Sequence, residues 1–199
     1  MKKRIILGSA SPRRRELLEQ IGVEFEVKVS DKEEVYHSTD PSAIVRELAL
    51  MKAENVAGEL KAADMRENGL IVIGADTVVV LDGKILGKPK DDGDAERMLK
   101  ALQGRAHDVY TGAAFLSYGR KGEKEICNYA VGTRVYVNPM TEDEIRAYIA
   151  TGEPADKAGA YGIQGRFAAY IEKIEGDYYN VVGLPVSRVY ETLKELGAL

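Results

Sequence analysis

This chain carries no excess of positive charge, and it is poor in cysteine and histidine. Lysine and arginine number 28 against 32 aspartates and glutamates, which gives 199 residues a net charge of -4 and a pI near 5.4. That balance argues against the broad basic face needed to release counterions from many nucleic-acid phosphates. The single cysteine, Cys127, cannot form an intrachain disulfide, and the two histidines, His37 and His107, are too distant in the chain to make a zinc-ligand set. A reducing, cytoplasmic setting is expected. No segment approaches the roughly 18 consecutive apolar residues of a membrane span. Met1-Lys2-Lys3-Arg4 imitates a signal-peptide start, but the apolar stretch behind it ends after Ile5-Ile6-Leu7 and runs into Ser-Pro-Arg. Internal repeats and low-complexity tracts are absent. The length suits one domain with a substantial core.

What is present begins with a charge in the wrong place. Arg4-Ile5-Ile6-Leu7 reads as a buried strand, Gly8-Ser9-Ala10-Ser11 as a small-residue turn, and Pro12 as the first residue of a helix capped by Ser11. Arg13-Arg14-Arg15 then sit at the positive end of the helix dipole, where each is disfavoured by about 1 kcal/mol or less unless an anion is present. Strand, turn and helix N-terminus form a general phosphate-binding geometry, to which Ser9 and the arginines add donors. The alternative is a solvated basic turn packed on an acidic neighbour.

Further along, 25–29 reads as a strand and Asp40-Pro41 opens a helix to about residue 60, followed by a loose polar connection over 61–68. Residues 70–81 form the strongest strand, turned by Asp82-Gly83 into a hairpin with 84–86. Asp91-Asp92 caps a helix that Gly104 ends, and 109–118 and 126–137 are two more strands. Thr141-Glu142-Asp143-Glu144 matches a capping box. A glycine-punctuated loop over 156–165 leads to a strand over 167–174, and Leu184-Pro185 begins the last helix. Hairpins interleaved with helices indicate an α/β or α+β fold with a mixed sheet.

Two residues break their local pattern. Asp76 interrupts the apolar run 71–80 on the face of Val72, Val78 and Val80, where an ionised carboxylate is costly unless it meets a metal or a cation. It is either a metal or general-base site beside the Thr77 hydroxyl, or a turn cap next to a Gly74-Ala75 bulge. Lys52 falls in the middle of the stripe Ile44, Val45, Leu48, Ala49 and Val56, so it either snorkels or meets an anion. Lys88, in Gly87-Lys88-Pro89, carries less information because loop lysines are usually exposed. Glu33-Glu34 is either solvated surface or a carboxylate source for a divalent metal. The 156–165 loop lacks both a dinucleotide fingerprint and a P-loop. Its Gln164, a planar amide with donor and acceptor, can read a nucleobase edge.

Together, Ser9-Ala10-Ser11-Pro12-Arg13-Arg14, Glu33-Glu34, Lys52, Gly74-Ala75-Asp76-Thr77, Gly87-Lys88-Pro89, the 156–165 loop and Val181-Val182-Gly183-Leu184-Pro185 resemble the Maf family of nucleotide pyrophosphatases. The resemblance covers essentially the whole chain. It implies a mixed twisted sheet flanked by helices, similar to the inosine-triphosphatase fold, in one domain over 1–199 with two lobes and a central cleft. It further implies a divalent metal, Mg²⁺ or Mn²⁺, cleavage of a nucleoside triphosphate to monophosphate and pyrophosphate, a cytoplasmic homodimer and an association with restraint of cell division. By the same resemblance Ser9, Arg13 and Arg14 hold the triphosphate, and Lys52 and Lys88 neutralise it. Asp76 activates water and touches the metal, with Glu34 as second acid. The form of the motifs is similar to the branch acting on dTTP and UTP, with Arg13, Thr77 and Gln164 as specificity residues. The 61–68 stretch is longer than that pattern leads one to expect. Two rival classes are a non-catalytic nucleotide-binding regulator of septum formation, which would not need Asp76, and a nucleic-acid binder, which the composition opposes.

Overall fold

A computed structural model describes residues 3–32, 35–60, 69–120 and 122–199. Its strands are β1 (Arg4–Leu7), β2 (Glu26–Val27), β3 (Leu70–Leu81), β4 (Lys84–Leu86), β5 (Ala106–Tyr118), β6 (Lys124–Val137) and β7 (Ile171–Glu175). Its helices are α1 (Pro12–Gln20), α2 (Pro41–Gly58), α3 (Asp92–Leu102), α4 (Glu142–Ile149), α5 (Tyr178–Val182) and α6 (Val186–Glu195). The strands join in the order β2-β1-β3-β5-β6-β7, with β4 paired to β3. Parallel pairing of β1 with β2 and β3, and antiparallel pairing of β3 with β4 and β6 with β7, make the sheet mixed. None of the described helices is long and apolar enough to cross a membrane.

The chain divides into two compact units. The first comprises Met1–Asp76, Thr111–Val131 and Gly183–Leu199. Here β1 pairs with β3 in the register Ile5↔Ile71, Ile6↔Val72, Leu7↔Ile73, and all six side chains are buried. Uninterrupted apolar runs of this kind are what strands covered on both faces require. Helix α2 lays Ala49, Ala53 and Val56 against Ile6, Val72, Ala114 and Leu116. The approach is close because the sheet carries glycine at two positions beneath the helix. A Cβ on Gly74 would overlap Ala49 O and Ala53 N, and one on Gly112 would overlap Val45 O.

The second unit comprises Thr77–Tyr110 and Gly132–Val182. The hairpin between β3 and β4 turns through Asp82 (φ 50°) and Gly83 (φ 74°), the double positive φ of a type I′ turn. Helix α4 starts in a complete capping box, with Thr141 and Glu144 bonded reciprocally to each other's backbone. Tyr148, Tyr161 and Tyr170 pack around the fully buried Phe167, with ring centroids 4.6 to 5.6 Å from it.

Several local expectations need correction. The strand expected over 25–29 is only Glu26–Val27. The strand expected over 167–174 begins as a 3₁₀ helix, Arg166–Tyr170, and becomes β7 only at Ile171, because Phe167 turns inward to the aromatic cluster and breaks the alternation. Helix α5 went unforeseen, being a five-residue element with too little length for a 3.6-residue period to register. Ser11 occupies the cap position of α1, but its side chain makes no capping bond. The 61–68 connection lies outside the described residues.

Candidate functional site

The turn after β1 is built around Ser9, which is buried. Its Oγ accepts from Arg14 Nη1 at 3.0 Å and from Ser11 N at 3.3 Å. Arg14, only 8% exposed, also donates from Nε to Gly183 O at 2.8 Å. The guanidinium fork thus ties the first motif to the carbonyl of a glycine at φ 129°, a conformation that side-chain-bearing residues rarely adopt. Gly8 N donates to Ile73 O at 2.7 Å, which fastens the same turn to β3 three residues before Asp76. With proline at N1, no side-chain cap and no acidic residue in its first turn, α1 directs unshielded amide dipoles at this turn. Of the three arginines expected to meet an anion, Arg14 is therefore also a structural tie. Arg13 is half-buried and Arg15 exposed.

Asp76 and Lys52, the two residues that broke their patterns, meet each other. Lys52 Nζ lies 2.6 Å from Asp76 Oδ1, with side chains 20% and 15% exposed. Residues 72, 74 and 76 share one face of β3, and the missing side chain at Gly74 lets α2 descend until Lys52, one residue before Ala53, reaches the carboxylate. Gly74 therefore serves close helix packing inside β3, and the ion pair with Lys52 accounts for a carboxylate at this position. A carboxylate with a second oxygen lone-pair set, held beside an ammonium in mostly desolvated surroundings, can accept a proton or meet a hard cation.

In the second unit, Thr77 follows Asp76 on β3 and is half-buried. Lys88 stands exposed in the turn after β4, and the carbonyl of the preceding Gly87 accepts from Gly159 N at 3.0 Å. That bond connects the Lys88 turn to the loop bearing Gln164. Gln164 itself is exposed beside buried Ile163, in a turn closed by Gly165 N to Gly162 O at 3.2 Å. Glu33 and Glu34 lie outside the described residues. Among the described residues no group of three or more His, Cys, Asp or Glu side chains is arranged to hold a metal ion. Asp76 is the carboxylate there whose setting suits one.

Sequence reasoning did not find Tyr148, Glu153, Tyr161 or His107, which support the Gln164 loop from beneath. Tyr161 Oη and His107 Nε2 are 2.7 Å apart, and burial pushes the His107 pKa down to about 4. Burial also raises the pKa values of Tyr148 and Tyr161, so both hydroxyls stay protonated. His107 lies inward on β5, ahead of the 109–118 strand read from the sequence, and its partner lies 54 residues away, so no local pattern names it. Cys127 is a half-buried free thiol, with its pKa raised chiefly by burial.

The family model for Maf-like proteins matches residues 4–196. A dTTP/UTP pyrophosphatase from Agathobacter rectalis is 52% identical over 97% of this chain and 97% of its own length. One of the same description from Geotalea uraniireducens is 51% identical over 100% of this chain and 97% of its own. Among solved structures, a HAM1 protein from Coxiella burnetii aligns over 97% of this chain and 99% of its own, at 16% identity and a TM-score of 0.49. With the family model spanning nearly every residue and half of all positions identical to those relatives, the chain belongs to the Maf-like protein family.

Proposed function

We propose that the protein is a nucleoside triphosphate pyrophosphatase that hydrolyses dTTP and UTP to the monophosphate and pyrophosphate. The observation that carries this reading is the Asp76 carboxylate, placed in an otherwise apolar strand and held by Lys52 at 2.6 Å. A protein that only binds nucleotide gains nothing from a desolvated carboxylate near a polyanion, whereas hydrolysis needs a base there. Asp76 takes a proton from water as the water oxygen bonds to the α-phosphorus. The bond from that phosphorus to the α–β bridging oxygen breaks, and pyrophosphate leaves with the electron pair. Ser9, Arg13 and Arg14 hold phosphate oxygens, while Lys52 and Lys88 offset charge that builds on them. Thr77 and Gln164 meet the base; the O4 and N3–H of thymine and uracil match the N–H and C=O of one amide.

A divalent cation, Mg²⁺ or Mn²⁺, fits this donor set. Such hard cations in nucleotide sites take one or two carboxylates plus phosphate oxygens rather than a complete protein cage, and Asp76 supplies one carboxylate, with Glu34 assigned as the second. When bound, the cation would withdraw charge from the phosphate oxygens. The same reading takes the enzyme as a cytoplasmic homodimer.

The test is product analysis with dTTP, UTP and a panel of other triphosphates in Mg²⁺ or Mn²⁺. Monophosphate and pyrophosphate are expected, with dTTP and UTP turned over fastest. Diphosphate and orthophosphate would identify the other anhydride bond and overturn the reaction, and binding without turnover would favour the regulator.

A further inference from the structure

The turn that presents Gln164 is fastened at both ends to side chains. At its start Gly162 N donates to Tyr148 Oη at 3.2 Å. Just beyond its end Arg166 N donates to Glu153 Oε2 at 3.0 Å and Oε1 at 3.2 Å. Glu153 lies so close beneath the turn that a Cβ on Gly165 would overlap its carboxylate. Glu153 is half-buried, and its own backbone is fixed on both sides. Its N–H donates to Thr151 Oγ1 at 3.1 Å, and its carbonyl accepts from Lys157 Nζ at 2.7 Å. Lys157 in turn covers Gly162, where a Cβ would meet its Cδ and Cε at 2.8 and 2.7 Å. An ordinary surface acid would not have a glycine making room for it or a backbone amide shared between both oxygens.

We propose that Glu153 is a positioning residue for base discrimination, holding the turn 162–165 together with Tyr148 so that the Gln164 amide faces the nucleobase in one orientation. This rests on the reading of Gln164 as the group that meets the base. An amide pairs with two base atoms only when its plane and position are fixed. An exposed side chain on a mobile turn loses that geometry and must be ordered afresh with each substrate. Charge-assisted bonds such as Glu153 to Arg166 N are stronger than neutral ones, so the carboxylate is the firmer of the two fasteners. Neither Glu153 nor Tyr148 needs to touch the nucleotide.

The experiment measures kcat/KM for dTTP and dCTP in Glu153→Ala, Glu153→Gln, Gln164→Ala and the Glu153→Ala/Gln164→Ala double variant, with thermal midpoints alongside. Glu153→Ala should lower the dTTP:dCTP ratio roughly fivefold, the scale of one lost hydrogen bond. Glu153→Gln, whose amide oxygen still accepts from Arg166 N, should restore most of that ratio. The double variant should discriminate no less than Gln164→Ala alone, because Glu153 acts through Gln164. Should Glu153→Ala fail to fold, Tyr148→Phe tests the other fastener, keeping the ring and removing the acceptor of Gly162 N; it too should lower the ratio. A ratio unchanged by Glu153→Ala, or by Tyr148→Phe in its place, while Gln164→Ala lowers it would overturn the positioning role alone, even with a lower midpoint. So would equal losses from Glu153→Ala in both backgrounds. A ratio unchanged by Gln164→Ala would overturn the base-reading assignment itself, and the positioning role with it.

Discussion

Lys52 Nζ reaches Asp76 Oδ1 at 2.6 Å because Gly74 has no side chain to hold α2 off β3. Each residue is costly by itself: an ammonium in a helix's apolar stripe and a carboxylate in an apolar strand. Paired, each offsets the other's desolvation.

That pairing separates chemistry from stability. Asp76→Asn should lower turnover at least about 10²-fold, the usual scale of a lost general base, while nucleotide affinity largely persists. It should also destabilise the fold by about 1 to 3 kcal/mol, less than for a fully buried pair, by removing the carboxylate that offsets the Lys52 charge. Adding Lys52→Met should recover stability without recovering turnover. Urea unfolding and pyrophosphate release on the three proteins check this. Normal turnover in Asp76→Asn would make the residue structural.

Arg14 should fail differently from its neighbours. Because its fork joins Ser9 Oγ to Gly183 O, Arg14→Lys replaces two fixed donor nitrogens by one ammonium nitrogen and loses the planar match to both acceptors. The variant should lose about 1 to 3 kcal/mol of stability and weaken all triphosphates alike, leaving base preference in place. Arg15→Ala, on an exposed side chain, should change stability by no more than about 0.5 kcal/mol. Calorimetric binding of dTTP and dCTP together with thermal midpoints distinguishes these outcomes. A midpoint in Arg14→Lys equal to that of the unmodified protein would contradict the structural tie.

The buried His107 gives the protein an acid-sensitive component. Its pKa is about 4 in the folded state against roughly 6.5 unfolded, so between those values the unfolded chain binds more protons. Its contribution to stability is complete above about pH 6.5 and is lost as pH falls toward 4, up to about 3 kcal/mol in all. His107→Gln keeps a polar partner for Tyr161 Oη but does not titrate. Denaturant unfolding between pH 4.5 and 7.5 should therefore show a pH slope shallower by up to about 1.4 kcal/mol per unit in the variant. Equal slopes would mean that His107 takes up its proton alike in the folded and unfolded chain.

Legibility followed the range of the interactions. The Asp82-Gly83 hairpin, the Asp40 cap bonded to Ala43 N at 2.8 Å and the Thr141 capping box were all readable, since each is decided within four residues. Asp76 and Lys52 were readable as anomalies because binary patterning exposes a charge on an apolar face. That each solves the other was not readable, since it depends on how closely a helix settles on a strand 24 residues later. Glu153 and Tyr148 gave no signal at all, being an acid after a helix and an inward aromatic, both commonplace.

By itself the sequence determined the longer strands and helices, where the charges that need partners lie, and a motif order dense enough to place the family. Periodicity, turn chemistry and capping act over a few residues, so a linear chain carries them openly. Only the tertiary structure decided that Arg14 spans from Ser9 to Gly183, that Lys52 meets Asp76, and that Glu153 lies under Gly165. These are contacts between distant segments, fixed by glycines that allow close backbone approach and by cores that fill in one way, and neither is visible until the chain has folded back on itself.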